Sequence, residues 1–246
     1  MARDRGVRTL GPGDLAYVAD RRRRWPVGTI VTVLVLALLV AAWWFLWVPN
    51  WRPSLQPGER FGIDVSSHQG RIDWGKVSRD DIRFTYIKAS EGGDLVDPRF
   101  RENWIGAGRA GLDRGAYHFF TLCTGGAAQA RNFLMAAPPV KSVMAPAVDL
   151  ELAGNCKARP DAVDVDRELD SFLLIVEQAW GQKVVLYVGD DFNHQYPGRR
   201  DLARPLWHRR FLVHPDITGW SIWQISGFAH VEGISGRVDL DLMRSP

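Results

Sequence analysis

Two carboxylates, Asp149 and Glu151, stand two residues apart in the short apolar run Ala145–Leu152, APAVDLEL. A proline near its start and its length suit a buried strand. Successive strand side chains point to opposite faces, so Asp149 and Glu151 share one face while Val148, Leu150 and Leu152 take the other. An isolated buried carboxylate costs several kcal/mol or changes its protonation state. Two acids this close push their pKa values apart, so that one can keep a proton and act as an acid while the other stays ionised. The plainer reading is a pair of ion-paired structural acids at a strand end. Spacing alone leaves both open.

The elements that would carry this pair alternate. FGIDV (61–65), RFTYIKA (83–89), GAYHFF (115–120), the acid-bearing run, KVVLYV (183–188), PLWHR (205–209), WSIWQI (220–225) and RVDLD (237–241) read as eight strands. Between them Asp73 can cap a short helix, Asp97-Pro98 opens a helix that Gly111 closes, and Thr124–Ala137 runs to Pro138-Pro139. Leu169, Phe172, Leu173 and Val176 recur at helical spacing up to Gly181. Alternation of this kind predicts an α/β fold with a largely parallel sheet, and eight strands predict a TIM-like barrel. The domain, residues 61–246, is shorter than the ~250 residues usual for that barrel. Some helices must be missing, which makes the expected fold an abbreviated, irregular β/α barrel.

In such a barrel the chemistry collects at the carboxyl ends of the strands. Asp64 ends the first strand and Asp239 lies in the last, which closure would bring side by side. Glu91 follows the second strand, where Lys88 can pair with it. Tyr117, His118, Tyr187, Trp223 and Gln224 lie on or near strand ends. Aromatic rings stack on the apolar faces of pyranoses, and amides and acids take their hydroxyls, so this set suits a sugar. Core packing is the plainer reading for each aromatic and for His118. No HExxH or CxxC spacing suggests a metal, no Walker-type glycine loop suggests a nucleotide, and no cofactor is expected. Ser66-Ser67-His68 lacks a GxSxG elbow, and neighbouring strand residues point apart, which argues against a serine hydrolase. Cys123 and Cys156 follow the third and fourth strands, so adjoining loops would bring them to the same rim. In an exported domain they form a plausible disulfide, against the alternative of two free thiols.

Seven arginines and three aspartates put a charge of +4 on residues 1–25, leaving −1 for the remainder of a chain whose net charge is +3. The folded part is near neutral and gives no sign of nucleic-acid binding. After the basic tail, residues 1–26, comes an uncharged apolar run over 27–48. As a helix it spans about 33 Å, enough for a bilayer core. Arginines before it and tryptophans at its far end predict an uncleaved, single-pass signal anchor in the cytoplasmic (inner) membrane. The N-terminus would face the cytoplasm and the domain the periplasm or cell-wall space. A cleaved signal peptide would have a shorter apolar region and a small-x-small site. Residues 49–60, with two prolines and a Pro-Gly pair, read as a linker holding the domain off the membrane.

Taken together, GIDVSSHQGRIDW (62–74), YIKASEG (86–92), GAYHFF, PAVDLE (146–151), LYVG (186–189), IWQIS (222–226) and GRVDLD (236–241) resemble the glycoside hydrolase family 25 muramidases, the Chalaropsis-type lysozymes. The resemblance covers nearly all of residues 61–243 in the family's motif order, and leaves out the tail and anchor. It implies an irregular β/α barrel that cleaves the β-1,4 bond between N-acetylmuramic acid and N-acetylglucosamine in peptidoglycan strands. Glu151 would be the general acid and Asp149 its partner, either as nucleophile or as the group that orients the substrate's own N-acetyl group, with substrate assistance the favoured reading. Asp64 and Asp239 would flank them. Two positions depart from the family pattern: KASEG replaces the commoner KATEG, and Asp241 stands where the family usually has Asn. The competing readings are a non-catalytic peptidoglycan-binding module tethering an envelope complex, and a hydrolase of another aminosugar polymer. Nothing in the sequence identifies a protein partner.

Overall fold

The structure is a computed structural model and describes residues 26–244. It divides into two compact units, between Trp44 and Phe45. The basic tail expected over residues 1–26 lies outside the described residues up to position 25.

The first unit is built on helix α1 (Val27–Ala42), which has no charged residue and buries none of its side chains. Helical geometry continues through Trp43–Trp47 as a π turn and Val48–Asn50 as a 3-10 turn. Over Val27–Asn50 the most apolar window has a mean hydropathy of 2.5, long and apolar enough to cross a membrane. A helix apolar all round, with none of its side chains buried among the described residues, is suited to lipid.

The second unit is a closed barrel. Its strands are β1 (Glu59–Val65), β2 (Ile82–Glu91), β3 (Leu95–Val96), β4 (Asp113–Phe119), β5 (Ala147–Leu150), β6 (Val185–Val188), β7 (Leu206–Arg209), β8 (Trp220–Ala229) and β9 (Val238–Arg244). They pair in the order β1-β9-β8-β7-β6-β5-β4-β2-β3, and β1 also pairs with β2 to close the ring. From β1 round to β8 the pairing is parallel. The last strand, β9, runs antiparallel to both β8 and β1. All eight expected strands are present. The two-residue β3, which folds back antiparallel on the end of β2, was not foreseen.

The helices are α2 (Trp74–Val77), α3 (Phe100–Arg109), α4 (Gly126–Ala136), α5 (Ala162–Trp180) and α6 (Asp190–Gln195). Among the described residues none follows β7 or β8, which accounts for the short domain. Asp73 caps α2 as expected, accepting from Lys76 N at 3.2 Å. Two starts differ from expectation. Helix α3 begins at Phe100 because the buried Asp97 carboxylate is engaged in the turn before it, accepting from Arg99 N at 2.9 Å and from Ser67 N at 2.8 Å. Helix α4 begins at Gly126, where α5 comes so close that a Cβ would lie 1.7 Å from the Glu168 carbonyl oxygen. The Glu168 side chain accepts from Gly126 N at 2.8 Å.

Strand alternation sorts the core into two layers. Outward residues such as Val148, Leu150, Leu186 and Val188 pack with Phe133, Leu169, Phe172 and Leu173 under the helices. Inward residues Phe84, Tyr86, Ala147, Val185, Tyr187, Trp207 and Ile222 fill the barrel interior. Asp149 therefore faces inward, at the top of that inner column. The segment before β1 is docked rather than free along part of its length. Val48 and Pro49 are buried, Pro49 O accepts from His230 N at 2.8 Å, and Trp51 packs on the outer core. Arg52 holds the Asp80 carbonyl and carboxylate at 2.6 and 2.8 Å.

Candidate active site

The antiparallel turn of β9 decides where its acids go. Asp239 is its second residue, so it lies at the rim where the parallel strands end, directly in register with Asp64 on β1. Asp149 comes from the end of β5, and Glu151 lies just beyond that end. All four line one cleft of about 560 Å³, together with Glu91, Tyr117, Tyr187 and Gln224. Glu151 is held from its backbone: the Asn155 amide donates to the Glu151 carbonyl at 2.9 Å and to Phe120 O at 2.8 Å, and its oxygen accepts from Leu122 N at 3.0 Å. A disulfide joins Cys123 and Cys156 beside this clasp, so the loops after β4 and β5 are tied twice.

His118 and Trp223, both expected at the cleft, are not there. Each is the strand neighbour of an inward residue, Tyr117 or Gln224, and so points out of the barrel. His118 is buried against Phe172, at 4.9 Å between ring centroids, and bonded to Ser90 Oγ at 2.8 Å and Gln129 Oε1 at 3.1 Å. Burial lowers its pKa to about 4, so it is a neutral core histidine. Trp223 lies in the outer core, its indole donating to Arg210 O at 2.7 Å.

The cleft also holds residues not singled out beforehand. Trp207 and Arg209 are alternate residues of β7, and Arg209 Nη1 lies 3.5 Å from Glu151 Oε2. The alternation in LWHR was the available signal. Lys88 bonds Glu91 Oε2 at 2.7 Å, the pairing raised from sequence, and sits 4.8 Å over the Phe119 ring. Ser66 Oγ and His68 Nδ1 lie 2.8 Å apart. They converge, rather than pointing apart as strand neighbours would, because residues 67–69 form a 3-10 turn. Ser66 is the cap of that turn, with Gln69 Oε1 accepting from Ser66 N at 2.8 Å.

Asp64, Asp149, Glu151 and Asp239 crowd around Lys88 and Arg209, and these four respond. Burial, then the charge of Glu151, pushes Asp149 well above the ordinary carboxylate range. Burial also raises Glu151, against the pull of Arg209. Asp239 is pushed up to about 6 by burial, again opposed by Arg209. Burial and the charges of Asp239 and Asp241 raise Asp64, while the Gln224 amide, donating to Asp64 Oδ2 at 2.9 Å, opposes the rise. One oxygen of Asp149, Oδ1, is buried without a hydrogen-bond partner among the described residues. Such a site can retain a proton near neutral pH, deliver it to a leaving oxygen and stabilise positive charge opposite. Among the described residues no three His, Cys, Asp or Glu side chains are arranged to hold a metal ion.

A closed β/α barrel with carboxylates gathered at one rim and aromatic and amide walls has the layout of a glycoside hydrolase. Comparison with known proteins agrees. Residues 63–234 match the model of glycosyl hydrolases family 25, and the chain belongs to that family. It is 35% identical over 189 residues to the uncharacterized protein YegX of Escherichia coli K12, covering 74% of this chain and 68% of that one. It is 30% identical over 192 residues to lysozyme M1 of Streptomyces globisporus, covering 72% and 65%. Among solved structures, a family 25 glycosyl hydrolase from Bacillus anthracis superposes with a TM-score of 0.71 at 29% identity, over 79% of this chain and 93% of that one. The protein is thus a glycoside hydrolase, in a family whose members include lysozymes and muramidases.

Proposed function

We propose that the barrel is a peptidoglycan muramidase, hydrolysing the β-1,4 bond between N-acetylmuramic acid and N-acetylglucosamine. The observation that carries this is the convergence of Asp149, Glu151, Asp64 and Asp239 on one cleft in a chain of this family. Glu151 is the general acid. Its proton, favoured by burial, goes to the glycosidic oxygen as the bond to the anomeric carbon breaks, and the resulting carboxylate then takes a proton from the attacking water. Asp149 is its partner. The unpartnered Oδ1 is an acceptor suited to the N–H of the substrate's N-acetyl group, which would turn the acetyl oxygen onto the anomeric carbon. Asp64 and Asp239 flank the reacting sugar, and Tyr117, Tyr187 and Gln224 supply ring and amide contacts. Helix α1 anchors the enzyme in the cytoplasmic membrane with its N-terminus inside, so cleavage is confined to wall within reach.

The test is digestion of purified peptidoglycan by the detergent-solubilised chain and by Glu151→Gln, with product ends identified by mass spectrometry after borohydride reduction. Reduced muramic acid ends from the wild type, falling by about 10²–10⁴-fold in the variant, support the reading. A folded wild type that sediments with peptidoglycan and cleaves nothing would turn it toward a tethered binding module.

A further inference from the structure

Beneath the cleft lies a carboxyl that the reaction above does not use. Asp241 is two residues past Asp239 on β9 and has no exposed surface. Its Oδ1 accepts from the Trp207 indole N–H at 2.9 Å, while Oδ2 is buried and takes no N–H donor among the described residues. Among the described residues no cation pairs with it. From β9 it faces the charge of Asp239, and from β1 the Asp64 carboxyl, whose hydrogen bond opposes the rise; Tyr86 of β2 also lies in its field, with Arg60 acting on that tyrosine. From β7 it takes the neutral Trp207 indole, and on β8 its register partner is the neutral Gln224. Both Asp241 and Asp64 are raised well above the ordinary carboxylate range, by burial first. Two bare charges side by side in a barrel interior are not sustainable. The β1–β9 register sets Gly62 opposite Asp241 and Asp64 opposite Asp239, so Asp64 and Asp241 are diagonal neighbours on one face, and Asp64 is the carboxyl able to share a proton with Asp241. The Tyr187 hydroxyl donates to Gln224 Oε1 at 3.2 Å, turning the amide N–H onto Asp64 Oδ2 at 2.9 Å, so that oxygen of Asp64 is an acceptor.

We propose that Asp241 is a positioning residue that keeps one proton between itself and Asp64, orienting Asp64 toward the cleft, and that loss of this proton sets the alkaline limit of the reaction. The second half rests on the muramidase reading; the first does not. Asp241→Asn supplies a donor of the same shape that cannot ionise.

The experiment follows thermal unfolding and kcat/KM on peptidoglycan against pH, for the full chain in detergent, comparing wild type, Asp241→Asn, Asp64→Asn and the double variant. A carboxyl whose folded pKa is raised contributes stability that is complete below its unfolded pKa, about 3.9, and is lost as pH rises through the folded pKa. The Tm advantage of Asp241→Asn should therefore open with rising pH and shrink in the Asp64→Asn background. The alkaline limb of kcat/KM should move up by about one pH unit or more, with the acid side within about threefold of wild type. A Tm difference that is flat with pH, or unchanged without Asp64, overturns the shared proton. A limb that does not move overturns the link to the reaction. An inactive wild type sinks the muramidase reading, and the Tm comparison still decides the proton. Should Asp241→Asn fail to fold, the wild type's infrared spectrum at neutral pH decides: a protonated-carboxyl band that weakens in Asp64→Asn supports the proposal, and no such band overturns it.

Discussion

Arg209 is the cation that chiefly opposes the rise of Glu151 and Asp239, while Asp149 is held back first by Lys88 and then by Arg209. Arg209→Gln should raise the pKa of Glu151, so that its carboxyl, followed by NMR of carbon-labelled protein, titrates at higher pH than in the wild type, without abolishing turnover. Asp239 gives a stability prediction of definite sign. Its pKa is raised to about 6, so its contribution is complete below about pH 4 and is lost as pH rises through 6. Asp239→Asn should gain about 2–3 kcal/mol over wild type at pH 7 and almost nothing at pH 4, measured by denaturant unfolding at the two pH values. At this scale the sequence was partly readable. The i, i+2 spacing of Asp149 and Glu151 put both into the cleft, and neighbouring strand ends brought Asp64 opposite Asp239. Reading every polar or aromatic residue near a strand end as rim was too coarse. The same alternation that pairs Asp149 with Glu151 separates Tyr117 from His118 and Gln224 from Trp223. It would also have picked out Arg209 two residues after Trp207.

Elements show the same contrast between local and long-range information. The strands were legible because each is a short apolar run bounded by turn residues, and Gly181 closed α5 in the left-handed conformation as its position implied. The starts of α3 and α4 were not legible, since each is set by a distant partner, Ser67 N on Asp97 and α5 on Gly126. That close approach can be tested. Gly126→Ala must force α4 and α5 apart and should cost about 1–3 kcal/mol, seen as a lower urea midpoint with an unchanged slope. The Cys123–Cys156 bridge closes a 33-residue separation, so its reduction should cost about 3–4 kcal/mol, and thermal unfolding with and without reductant measures it. Because the bridge sits beside the Asn155 clasp, reduction should also lower kcat more than it changes KM. The reversal of β9 could not be read from RVDLD, since an alternating strand has the same pattern in either direction.

For the molecule as a whole, the docked stretch 48–52 makes the barrel domain larger than its first strand suggests. A chain beginning at residue 61 loses the buried Val48 and Pro49, the Trp51 packing and the Arg52–Asp80 pair, and also cuts into β1 at Glu59. It should unfold about 2–4 kcal/mol more easily than one beginning at residue 48, judged by the apolar surface removed, and calorimetry of the two would show it.

The two ends of the barrel chain are strand neighbours. Because β9 runs against β1, Arg244 is in register with Glu59, and their side chains pair at 3.3 Å. This edge is the far end of the barrel from Asp64 and Asp239. A circularly permuted chain, with residue 244 led into residue 59 by a short turn and new termini opened at the exposed 140–142 segment, would preserve every strand pairing. The order in which the strands are synthesised could then be changed while the carboxylates meet as before.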